Sequence, residues 1–120
     1  MHVIHRSMVE PFLADDGSLV RELAAPGNAP LAAHSLAEIR HPPGTASREH
    51  YHRVAEEVYY VLEGSGEVRV DGQARAIGPG DVVVIGPGQR HKVIQRGRQD
   101  LVLLVTCVPA YSPEEVVFLE

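Results

Sequence analysis

The chain has no tryptophan, one cysteine and six aromatic side chains in 120 residues. With Cys107 alone no intrachain disulfide can form, so packing must hold the fold, and a reducing compartment suits it. No apolar run approaches the ~18 residues of a membrane span, and the N-terminal residues carry no signal-peptide core. A cytoplasmic protein with no membrane partner is the expectation. Positive charge is also scarce. A net charge of −5 and a pI near 5.8 leave no concentrated basic stripe for phosphates, which argues against a nucleic-acid partner. Arg90, Lys92, Arg96 and Arg98 do cluster, but Arg96-Gly97-Arg98 reads as a solvated turn. The H-E-x-x-H zinc helix and the G-x-S-x-G nucleophile elbow are missing too, and Gly64-Ser65-Gly66 lacks the lysine and length of a phosphate loop.

What the chain does have is turn punctuation, with eleven glycines and nine prolines. They separate short β-prone runs at Ser35–Arg40, His50–Arg53, Glu57–Leu62, Glu67–Val70, Gln73–Ile77, Asp81–Ile85, His91–Gln95 and Asp100–Val108. Asp71-Gly72 is a strong hairpin signal, with Arg69 and Arg75 facing solvent on either side of it. The unbroken Val82-Val83-Val84-Ile85 suggests burial on both faces. Met1–Arg6 and Val20–Ala24 read as short strands flanking the turn at Asp15-Asp16-Gly17. Ser112-Pro113-Glu114-Glu115 resembles a helix start, and Val116–Leu119 reads as an edge strand or a contact with a partner subunit. No convincing helix interrupts the series. One all-β domain over 1–120, an antiparallel sandwich or barrel, is the expected architecture. Its exposed edges make a homodimer the expected assembly.

The most informative pattern is Gly44-x5-His50-x-His52-x4-Glu57-x6-Gly64, followed later by His91. Strand side chains alternate faces, so the two histidines of H-x-H project from one side, ~7 Å apart at the backbone. Two imidazoles at that spacing can converge on one cation. Four residues then allow a reversal into a strand that begins with a carboxylate. Glu57 is the candidate rather than Glu56, because its parity matches Tyr59 and Val61 and leaves Glu56 solvated. Together His50, His52, Glu57 and His91 form a candidate metal set.

These residues carry a family resemblance. Gly44 to Gly64 resembles the first cupin motif, G-x5-H-x-H-x3,4-E-x6-G, at every defined position. Gly80 to Gln95 resembles the second, G-x5-P-x-G-x2-H-x3-N, through Gly80, Gly88 and His91. Gly86 stands where that motif has proline and Gln95 where it has asparagine. The resemblance implies a small single-domain cupin: a double-stranded β-helix, or jelly-roll barrel, with its core at about 34–108 and edge strands or dimer contacts outside it. It also implies one divalent transition metal ion (Mn, Fe, Ni, Co, Cu or Zn) on the four candidate ligands.

Such a donor set leaves open positions on a six-coordinate ion, which separates a catalytic site from a closed structural one. The expected activity is therefore that of a metal-dependent enzyme on a small oxygenated metabolite. The similar cupins include dioxygenases, sugar and sugar-acid isomerases, decarboxylases and cyclases. A non-catalytic cupin binding a sugar or carboxylic acid is the alternative, and a vestigial site a third. Glu57 is expected to act at the site, with Tyr59 and Gln95 lining the pocket by parity. His2, His5, His34 and His41 read as surface or strand-edge histidines, and Cys107 as a small buried hydrophobe.

Overall fold

A computed structural model describes all of residues 1–120. Its strands are β1 (Phe12–Leu13), β2 (Leu19–Ala24), β3 (Ser35–His41), β4 (His50–His52), β5 (Glu56–Glu63), β6 (Ser65–Val70), β7 (Gln73–Ile77), β8 (Val82–Ile85), β9 (His91–Arg96), β10 (Leu101–Val108) and β11 (Val116–Phe118). Two short 3-10 turns, Arg6–Met8 and Pro113–Glu115, are the only helical pieces. The strands form two antiparallel sheets, ordered β1-β2-β3-β10-β5-β8 and β11-β4-β9-β6-β7. This is the antiparallel two-sheet arrangement that the turn spacing predicted, and the jelly roll that the family resemblance implied.

Alternation along the strands sets what lies between the sheets. The core comprises Tyr59, Val61, Val68, Ile77, Ile85, Val93, Leu101, Leu103, Val105 and Cys107, drawn from strands of both sheets. In β3 the pocket-facing parity is Ser35, Ala37, Ile39. The opposite parity carries Glu38, which is nonetheless buried, because Arg6 folds over it with paired bonds of 2.8 Å from Nε and Nη2. The N-terminal segment thus covers the outer face of the larger sheet, and Met1–Arg6 forms no strand as the sequence had suggested. The first strand is Phe12–Leu13 instead, and it extends β2 at the sheet edge.

Three further expectations need correction. Val82 and Val84 are 58% and 71% exposed, so β8 is not buried on both faces; only Ile85 is enclosed. β8 is an edge strand with β5 as its sole neighbour, and β-branched residues favour strand geometry whether or not both faces are covered. Ser112 begins a single 3-10 turn rather than an α-helix, with no side-chain capping bond. His41 is not at the surface but 2% exposed, at the inner end of β3. His2, His5 and His34 are exposed, as expected.

Positive-φ positions explain two motif glycines. Gly64 has φ +78°, and a Cβ there would collide with the Asp100 carbonyl where the β5–β6 turn passes the start of β10. Gly88 has φ +79° and donates its N–H to the His52 carbonyl at 2.7 Å, tying the turn before β9 to β4. Gly64→Ala should therefore lower the unfolding free energy by about 3 kcal/mol in urea titrations, and an unchanged midpoint would contradict the packing described here.

Burial holds the His41 imidazole below its ordinary range, with the Asp16 carboxylate only partly offsetting this. A histidine lowered in the folded state binds protons preferentially in the unfolded chain. Its contribution is intact above the unfolded value of about 6.5 and is lost as pH falls below it. Stability of the native chain relative to His41→Leu should accordingly decline between about pH 7 and pH 5. Parallel stability–pH curves for the two proteins would show that His41 does not titrate in this way.

Candidate metal centre

The two sheets bring the four sequence-predicted residues together. β4 aims His50 and His52 inward, β9 places His91 directly opposite His50, and β5 of the other sheet supplies Glu57. One potential ligand atom from each lies within 4.8 Å of the other three, and all four residues are buried. Glu57 Oε1 stands 3.3 Å from His52 Nε2 and 3.0 Å from His91 Nε2. Glu56, its neighbour on the strand, is exposed.

The far side of each ring is equally specified. His50 Nδ1 donates to the Arg48 carbonyl at 2.7 Å and His91 Nδ1 to the Gln89 carbonyl at 2.8 Å. His52 Nδ1 meets the Glu115 carboxylate at 2.6 Å. These partners only accept, so Nδ1 carries a proton in each ring and Nε2 is the nitrogen aimed at the site. His91 Nε2 is fully buried and, though close to Glu57, makes no well-formed hydrogen bond. An inward-aimed nitrogen without a partner, among two more imidazoles and a carboxylate, fits a divalent transition ion. The donor set accepts Mn, Fe, Co, Ni, Cu or Zn alike.

The electrostatics of the four side chains follow from the same contacts. Burial alone would push the Glu57 carboxyl up, but the His52 and His91 imidazoles outweigh it and hold it well below the usual carboxylate range. Burial likewise disfavours a charged His52, yet Glu57 and Glu115 on its two nitrogens raise it to about 9. His50 is lowered, by burial first and then by His91. Tyr59, fully enclosed and beside Glu57, is raised well above 10. It stays a neutral phenol at physiological pH.

Beside the cluster opens a cleft of about 690 Å³, its mouth included, lined by 18 residues. Tyr59 is among them and donates to Glu57 Oε1 at 3.2 Å. Cys107 is buried as expected, and its thiol also reaches the site, 3.4 Å from Glu57 Oε2. Gln95 is not among the lining residues. Its Oε1 accepts from Gly44 N at 3.0 Å, and its Nε2 lies within 2.9 Å of the Arg96, Gly97 and Gln99 carbonyls. Those bonds staple the loop before β4 to the end of β9 and occupy the amide that sequence parity had assigned to the pocket.

Glu115 was not singled out from the sequence. It holds His52 and also accepts from the Val54 and Ala55 N–H groups at 3.0 and 3.3 Å, so it shapes the β4–β5 turn. The only hint was an acidic residue in the turn before an apolar tail. Asp16, Ser18, Tyr111 and Phe118, which also line the cleft, come from segments with no motif of their own.

The architecture and the clustered imidazoles and carboxylate define a small β-barrel with a candidate metal centre between its sheets. The family comparison agrees: the cupin domain family model matches residues 37–107, and the chain belongs to that family. It is 36% identical over 112 residues to an uncharacterized protein of Methanocaldococcus jannaschii, covering 93% of this chain and 90% of that one. It is 33% identical over 94 residues to the tetracenomycin polyketide synthase protein TcmJ of Streptomyces glaucescens, covering 78% of this chain and 62% of TcmJ. Among solved structures, the polyketide cyclase RemF from Streptomyces resistomycificus superposes with a TM-score of 0.84 at 25% identity, over all of this chain and 86% of that one.

Two measurements probe this geometry. Binding a metal through His52 Nε2 requires that ring to be neutral, so uptake below about pH 9 should release close to one proton. Calorimetry in buffers of differing ionisation enthalpy would read that release, which should fade as pH approaches the His52 value. Glu115→Gln, which weakens the orientation of His52 without removing a candidate ligand, should cost about 10- to 100-fold in metal affinity. Unchanged affinity would mean that the Glu115 contact does not orient His52.

Proposed function

We propose that this cupin is a metal-dependent enzyme acting on a small oxygenated metabolite, with His50, His52, Glu57 and His91 holding one divalent transition ion. The convergence of three tautomer-fixed imidazoles and one carboxylate beside an open cleft carries this reading. Such an ion, when bound, polarises a carbonyl or hydroxyl oxygen and can lower the pKa of a coordinated water. Four protein donors leave room on a six-coordinate ion for paired oxygens of a substrate.

The chain's own residues supply the rest. Tyr59, neutral and donating its one hydroxyl hydrogen to Glu57, keeps an oxygen lone pair that can accept from a ligand hydroxyl in the cleft. The Cys107 thiol is raised by burial and by Glu57, so it stays protonated and serves as a donor to the carboxylate rather than as a nucleophile. The donor set does not choose among the activities of similar cupins, and we favour carbonyl-polarising chemistry of the cyclase, isomerase or decarboxylase type. The relative named as a polyketide cyclase supports that choice.

A homodimer is part of the proposal. Tyr60, Leu62, Val82 and Val84 stay exposed on β5 and β8, making an apolar face of the kind that subunits cover. The Val116–Phe118 segment is an edge strand, as expected, paired with β4 of the same chain on one side only.

Protein purified from its native host without added metal should contain about one equivalent of transition metal per chain, and a His50→Ala/His91→Ala variant close to none. Native protein free of transition metal by elemental analysis would end this reading. Light scattering should give twice the chain mass, and a monomer at high concentration would remove the dimer.

A further inference from the structure

The charge pattern of the cleft narrows what it can hold. With the histidines neutral, as metal ligation requires, every charged side chain along it is acidic, namely Asp16, Glu22 and Glu57, and no lysine or arginine is among the 18 lining residues. The nearby guanidiniums are engaged elsewhere. Arg21 donates to the Val9 carbonyl, Arg40 pairs with Asp100 at 2.9 Å, and Arg48 lies over the Phe118 ring while donating to the Asp15 and Glu120 carbonyls. Eleven of the lining residues are hydrophobic.

From these observations we infer that the cleft takes an uncharged, mostly apolar ligand that offers paired oxygens to the metal and hydroxyl hydrogens to Asp16 and Glu22. The inference rests on the proposed metal reading for the paired oxygens, while the charge preference stands on the walls alone. A divalent ion among three carboxylates and three neutral imidazoles leaves the site with a net single negative charge. A substrate carboxylate or phosphate would add to that excess with no guanidinium to receive it. Each unscreened like-charge neighbour in such a site lowers affinity by about tenfold.

Asp16 is placed for this task. It sits in the turn between β1 and β2, which is closed by Gly17 N to the Ala14 carbonyl at 3.0 Å and fastened to the loop before β4 by Arg48 N to the Asp16 carbonyl at 2.9 Å. Its Oδ1 accepts from the Ser18 N–H and hydroxyl at 3.0 and 2.5 Å, while Oδ2 takes no protein hydrogen bond. A ligand hydroxyl is the complementary partner for that free oxygen, and the aromatic and aliphatic walls suit a planar apolar body.

The test compares two chelators by calorimetry near neutral pH on the full chain loaded with Ni²⁺. Naphthalene-2,3-diol is uncharged and apolar, with vicinal hydroxyls; oxalate is a dianion of similar bite. The diol should bind at least about tenfold more tightly. Asp16→Asn/Glu22→Gln, which keeps the shape of the cleft and all four metal candidates, should improve oxalate relative to the diol by about tenfold or more. Should the double variant not fold, Glu22→Gln alone gives the same comparison, since that carboxylate makes no protein hydrogen bond. Oxalate binding as tightly as the diol, or a ratio unmoved by the substitutions, overturns the inference. Repeating both titrations without metal separates the two readings. Failure of the chain to take up Ni²⁺ counts against the metal centre, whereas absence of diol binding in both forms counts against the apolar, uncharged ligand.

Discussion

The arrangement depends on keeping the Glu57 carboxylate ionised inside a protein. At 5% exposure it has lost its hydration, and an isolated charge in that position would protonate or expel the strand that carries it. What holds it is a set of imidazoles from the opposite sheet, with His52 and His91 within 3.3 Å of one oxygen and the Tyr59 hydroxyl and Cys107 thiol beside the pair. The site therefore acts as a clasp between the sheets as well as a candidate metal centre. Its residues cannot be exchanged one at a time, because each removal leaves another buried polar group without a partner.

That clasp draws on parts of the chain far from the motifs. The C-terminal strand β11 lies along β4, and Glu115 just ahead of it holds His52 and the β4–β5 turn together. The β1–β2 turn contributes Asp16 to the mouth of the cleft and is tied to Arg48, two residues before His50. A segment read from the sequence as a helix start and edge strand thus orients a ligand candidate, and an N-terminal hairpin supplies part of the cleft wall. The hairpin and tail meet at Arg48, whose guanidinium bonds to the carbonyls of Asp15 and Glu120.

Much of this was legible in one dimension for a simple reason. Where a requirement is local, it leaves a local mark. Asp71-Gly72 has φ of 50° and 82°, the geometry that a two-residue hairpin turn demands, and the sequence names the residues that can adopt it. H-x-H fixes a common face at any pairing register, and Glu57 was separable from Glu56 by parity. Reading failed where a neighbour decided. β8 has the composition of a buried strand but lies at a sheet edge, and His41 is enclosed only because β10 pairs along β3. Gln95 has the parity of a pocket residue, but its amide satisfies four backbone groups around it.

The sequence by itself determined the strand periodicity, the turns and the identity of the candidate ligands, because alternation and turn stereochemistry act within a few residues. Only the folded chain decided which histidine nitrogens face inward, since the acceptors that choose the tautomers (the Arg48 and Gln89 carbonyls and Glu115) come into place through backbone path and sheet pairing. It also decided the sign of the pocket wall. Asp16 and Glu22 look like ordinary solvated acids in the sequence, and they line the cleft because β1 and β2 extend the sheet beside β3 and carry them to the same pocket as the metal candidates.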